Sequence, residues 1–209
     1  MKESDTAEEL GGMAAVDFRA AIFCAVRTFL PPQDGGFSVT TSDMKLNSMQ
    51  DLLVAELQDL LGAEKQLAQA LPKMGKAIAH SQLRDEVEKH ARETAQHEQR
   101  LERCFQSLGV TPQPARSHGM VGLISAWMEL EETEAQEDVR DAAIISSLQH
   151  IEHYEIAGYG CARAFAQVLD ETEVAELLEK TLREEEGCDR RLSALAERFV
   201  NSEAEIHSR

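Results

Sequence analysis

The chain has 209 residues, of which 28% are charged and 5% aromatic; that is enough for one domain with a sizeable core, and the composition favours helices over sandwiches or barrels. Its 38 acidic against 21 basic residues give a formal charge of −17, which excludes a general phosphate-backbone binder and leaves no nucleic-acid partner to expect. Four cysteines (Cys24, Cys104, Cys161 and Cys188) show no CxxC spacing, so reduced thiols in a cytoplasmic protein are expected.

Residues 1–43 carry Gly11-Gly12, Pro31-Pro32, Gly35-Gly36 and a Ser/Thr run from Ser38 to Ser42. They read as a weakly ordered N-terminal extension with one short amphipathic helix around 14–29. The most apolar stretch, Met13 to Leu30, is interrupted by Asp17, Arg19 and Arg27. It therefore predicts neither a bilayer span nor a signal peptide, and no membrane partner is expected. Helical periodicity begins near residue 45 and predicts a domain over 44–200, with 201–209 as a disordered tail. The first helix, 46–79, has the stripe Leu53, Leu57, Leu60, Glu64, Leu67, Leu71, Met74, with Pro72 a kink site. The second, 83–108, has Leu83, Val87, His90, Thr94, His97, Leu101, Cys104, Leu108 and stops at Gly109, ahead of Pro112 and Pro114. A connecting segment holds a shorter helix over 119–134. The third long helix, 138–169, has Asp141, Ile145, Leu148, Glu152, Glu155, Tyr159, Ala162, Ala166, Leu169. The fourth, 172–200, has Val174, Leu178, Thr181, Glu185, Cys188, Leu192, Leu195, Phe199. No alternating β-branched run is bounded by turns. The long connection between the second and third long helices predicts an all-α, ferritin-like four-helix bundle: two helical hairpins joined by a crossover that traverses the bundle.

An ionised carboxylate in a dry core is very costly unless it is paired or coordinated. Here each of the four helices carries an acid to the middle of the bundle, which suggests a carboxylate cage for metal ions. Glu64 and Glu152 are 88 residues apart; Glu93 and Glu185 are 92 apart, as are His97 and Asp189. The two hairpins thus look like an internal repeat. Glu64 and Glu152 fit the role of single ligands, and Glu93 with His97 and Glu185 with Asp189 fit paired roles, since residues at i and i+4 share a face. Glu155 can add a ligand. The paired offset is i,i+4 rather than the usual i,i+3, where Gln96 and Cys188 stand. His97 and Asp189 therefore either bind metal or orient a glutamate. His90 reads equally as a core histidine or a ligand. In a rival reading the domain is a non-catalytic scaffold whose acids pair with bases such as Lys65 or Arg100, or stay protonated.

The segments "DLLGAEKQLAQALPKM" (59–74), "HARETAQHEQRLE" (90–102), "DAAIISSLQHIEHYEIAGYG" (141–160) and "TLREEEGCDRRLSALA" (181–196) resemble the YciF-type stress-protein family of ferritin-like domains. The resemblance covers about residues 45–200. It implies a rubrerythrin-like carboxylate site in a homodimer, in bacteria under osmotic or oxidative stress. Members of that family typically carry Gln where this chain has His97, and Glu152 with Glu155 resembles the paired glutamates of rubrerythrins. Taken together, residues and resemblance lead us to expect a metal centre of two iron ions (or manganese) that oxidises Fe(II) with O₂ or peroxide, or removes peroxide. Its ligands would be drawn from Glu64, Glu93, His97, Glu152, Glu155, Glu185 and Asp189.

Overall fold

A computed structural model describes residues 46–207; the expected N-terminal extension lies outside the described residues. The first helix, α1 (Met49–Ala77), begins where Ser48 accepts the Asp51 amide at 3.1 Å and the Asp51 carboxylate accepts the Asn47 amide at 2.9 Å. This reciprocal arrangement satisfies amides that lack helical partners. Pro72 sits inside this continuous helix. The second helix, α2 (Ser81–Ser107), is capped by His80, whose Nδ1 accepts the Leu83 amide at 3.3 Å, and it ends before Gly109 at φ 67. The crossover carries α3 (His118–Glu131), capped by Ser117. Then come α4 (Glu137–Val168) and α5 (Thr172–Leu195). Asp170 turns the second hairpin at φ 58, a left-handed geometry that aspartate tolerates better than most residues.

The bundle neighbours are α1 with α2, α2 with α5, α5 with α4, and α4 with α1, while α3 lies on α1 and α4. This is the expected ferritin-like bundle of two hairpins with a long crossover. One expectation at the C-terminus fails. A π-helical turn, Ala196–Val200, leads into α6 (Asn201–His207), so a helix occupies most of the stretch expected to be disordered. Val200 is buried at the junction and α6 packs against α4. The polar run after Val200 hides this anchor from a pattern reading.

Two contacts hold the connections. The Asp141 carboxylate, buried on α4, accepts the Ala79 amide at 3.0 Å and the His80 amide at 2.6 Å, fixing the α1–α2 turn. The crossover is pinned to α1 where the Ala115 amide donates to the Gln58 carbonyl at 3.0 Å. A Cβ at Gly62 would run into the Ala115 carbonyl, so only glycine fits beneath it. Just beyond, Tyr154 and Ser117 hydroxyls both donate to Asp59, at 2.5 and 3.1 Å. Among the described residues no helix is long and apolar enough to cross a membrane.

The core falls into two apolar clusters. One includes Leu67, Leu71, Trp127, Leu148 and Leu192; the other includes Leu53, Leu57, Phe105, Ala162 and Leu178. Burying each leucine contributes roughly 1.5–3 kcal/mol. Between the clusters, along all four long helices, lies a buried polar layer of Glu64, His90, Thr94, His97, Glu152, Glu155 and Glu185.

Candidate metal centre

Each of these polar side chains reaches the interior because it stands on the buried seam of its helix. Two sets of donors result. Glu64, His97 and Glu185 each bring one donor atom to within 4.8 Å of the others, and so do His90, Glu152, Glu155 and Glu185. Glu185 belongs to both. Its Oε1 lies 2.8 Å from His97 Nδ1 and its Oε2 lies 3.8 Å from His90 Nδ1. Around it, Glu64 Oε1 is 3.3 Å from His97 Nδ1, and Glu152 Oε1 is 3.4 Å from His90 Nε2.

The layer is poorly compensated by the protein itself. Both oxygens of Glu152, Glu155 and Glu185, one of Glu64 and both His90 nitrogens are buried without a hydrogen-bond partner. Native interiors rarely leave such atoms unsatisfied. Burial pushes the Glu64 carboxyl up, and burial together with neighbouring carboxylates pushes Glu152 and Glu155 well up. Burial also lowers His90. Although burial opposes its charge, His97 is pushed up to about 12 by its hydrogen bond to Glu184 and by the close carboxylates of Glu185 and Glu64. Glu185 is held down, against its burial, by His97. Seven orphaned carboxylate oxygens facing one imidazolium are the donor set that divalent iron or manganese fills with charge and ligands at once. The residues fit the expected group.

Beyond the donors lies a supporting layer. His97 Nε2 donates to Glu184 at 3.0 Å, and Arg100 grips Glu184 through two bonds of 2.5 and 3.0 Å. Arg100 also donates to Thr181 at 3.0 Å. Tyr159 donates to Glu64 Oε1 at 2.5 Å. A carboxylate behind a histidine fixes the ring and its proton, leaving Nδ1 for the interior.

Residues 48–205 match a family described as a domain of unknown function, DUF892. The chain belongs to the DUF892 family. Protein YciF of Escherichia coli (strain K12), a relative in this comparison, is 35% identical over 163 residues, covering 78% of this chain and 98% of YciF. The crystal structure of the E. coli stress protein YciF matches with a TM-score of 0.72 at 34% identity, over 75% of this chain and 99% of that one. YcfI from Rhodopseudomonas palustris matches with a TM-score of 0.70 at 34% identity, over 73% of this chain and 96% of that one. The resemblance read from the four sequence segments therefore holds.

In this DUF892 chain, Glu64, His97, Glu152, Glu155 and Glu185 come together as expected. Glu93 and Asp189 do not join them. Glu93 is half-buried beside Lys89 at 3.2 Å and Arg191 at 3.6 Å. Asp189 accepts from Gln149 at 3.2 Å and faces His153 at 3.5 Å. Both stand one residue off the seam, about 100° around the helix axis. His90 takes the inward place on α2 instead, and its position on the Leu83–Leu101 stripe was the signal. Arg100 and Lys65 do not pair with the core acids; Arg100 holds Glu184. Glu184 itself carried no pattern signal, because it lies beside the seam and reaches His97 sideways.

Proposed function

We propose that this chain is a di-metal carboxylate protein, with two iron ions as the resident metals, that oxidises Fe(II) with O₂ or peroxide or removes peroxide as part of a stress response. The observation that carries the reading is Glu185, whose two oxygens face separate buried donor sets. A carboxylate so placed would be shared between the two donor sets of a di-metal bundle site. Glu64 and His97 would hold one ion, His90, Glu152 and Glu155 the other. Iron there would supply the two electrons that break the peroxide O–O bond, two Fe(II) becoming Fe(III) as peroxide and two protons become two waters.

The protein's own part is positional and protonic. The two apolar clusters exclude bulk water from the layer. Arg100 fixes Glu184, Glu184 fixes the His97 ring, and Tyr159 holds Glu64 in one rotamer. Glu184 also lines a surface cavity of about 790 Å³. Glu184 thus links the buried His97 ring to a surface-facing carboxylate that Arg100 keeps charged. The relation to a stress protein, E. coli YciF, supports the physiological setting. A cytoplasmic homodimer remains the assembly we propose.

The test is metal content by mass spectrometry after anaerobic loading with Fe(II), beside a Glu64→Ala/Glu185→Ala variant, followed by oxygen and peroxide kinetics. About two irons per chain in the parent and none in the variant, with Fe(II) oxidised at the centre, is the expected result. No stoichiometric iron or manganese, with the variant as stable as its parent, would sink the reading in favour of a helical scaffold.

A further inference from the structure

We propose that Cys188 supplies a thiolate ligand to the metal held by His90 and Glu152, giving one end of the centre a sulfur donor. This rests on the metal reading above. One donor atom each from His90, Glu152 and Cys188 lies within 4.8 Å of the other two, and all three residues are buried. Metal–donor bonds of about 2.0–2.3 Å keep donors within roughly 4.4 Å of one another, so small rotamer changes close the set. His90 and Glu152 face each other at 3.4 Å, yet neither His90 nitrogen and neither Glu152 oxygen makes a hydrogen bond.

The position on the helix argues the same way. Cys188 follows Glu185 by three residues on the α5 seam. That is the spacing at which bundle sites place histidine in Glu-x-x-His, so cysteine stands where a nitrogen ligand normally would. Cys104 gives the contrast. Both cysteines are buried members of an apolar cluster, but Cys104 belongs to none of the donor groups, whereas Cys188 belongs to one. Cys104 reads as packing, whereas Cys188 borders the unsatisfied layer. Coordination would displace the thiol proton outright. A thiolate also shifts preference toward zinc, cobalt and iron and away from manganese, which favours oxygen donors.

The experiment is anaerobic Co(II) titration of the full chain under reduction, with parallel Cys188→Ser and Cys104→Ser variants. The readouts are near-ultraviolet sulfur-to-metal charge-transfer absorption and cobalt stoichiometry. The proposal expects the band in the parent and in Cys104→Ser, and its loss in Cys188→Ser with cobalt still bound. Should Cys188→Ser fail to fold, X-ray absorption of the cobalt-loaded parent decides, with a sulfur scatterer at about 2.3 Å expected. Stoichiometric cobalt with neither band nor sulfur scatterer overturns the thiolate and leaves the di-metal reading standing. No binding of cobalt, iron or manganese overturns both.

Discussion

The hairpin α1–α2 brings Glu64, His90 and His97 to the central layer, whereas α4–α5 brings Glu152, Glu155, Glu185 and Cys188. The two occupy equivalent places in the bundle, and their first helices still match, Glu64 answering Glu152. Their second helices have diverged. Aligned on their seams, His90 answers Thr181, Thr94 answers Glu185, and His97 answers Cys188. One hairpin therefore offers the bases and the other most of the acids. A symmetric cage of acids alone would repel itself; here His97 can hold Glu64 and Glu185 together by taking a proton.

The largest effect should come from removing one acid on each hairpin. Glu64→Ala/Glu185→Ala should take metal content from about two per chain to none, by mass spectrometry. Next, Thr94→Glu makes the first hairpin imitate the second. An added buried charge without a partner should destabilise the metal-free protein by about 3 kcal/mol, measured by urea unfolding, and bound metal should restore part of the loss. Third, His97→Gln removes the compensating base. His97 has a folded pKa raised from 6.5 to about 12, so its stabilisation is complete below pH 6.5 and is lost as pH rises through about 12. The metal-free parent should lose thermal stability as pH climbs above neutrality, and the His97→Gln variant should show a flatter profile. Metal binding at His97 must release that proton, so the parent's metal affinity should rise with pH more steeply than the variant's. The smallest effect belongs to Glu93→Ala, which should leave metal content unchanged and move stability by no more than about 0.5 kcal/mol.

The fold was legible because helical periodicity is long and regular, and because the length of the crossover points to one main topology. The acids at 64, 152, 155 and 185 were legible because each falls on the apolar stripe of its helix. Glu93 and Asp189 misled for a physical reason. An offset of 92 between hairpins pairs Glu93 with Glu185, whereas the observed seams pair Thr94 with Glu185. That one-residue difference rotates a side chain from the interior to the flank. His90 was visible on its stripe but chemically ambiguous, since a neutral buried histidine and a ligand look alike in a sequence. Glu184 and Arg100 become meaningful only once α2 and α5 are side by side.

The crossover has a consequence for how the chain could be divided. Residues 111–116 are exposed, yet Ala115 bonds to α1 and Ser117 joins Asp59 and Tyr154. A single cut between Thr111 and Pro114 would therefore sever no contact that holds the second fragment to the first. Each fragment would keep one intact hairpin, its own donors and part of each apolar cluster. The two hairpins are in that sense complementary parts, each carrying its own share of the buried donors.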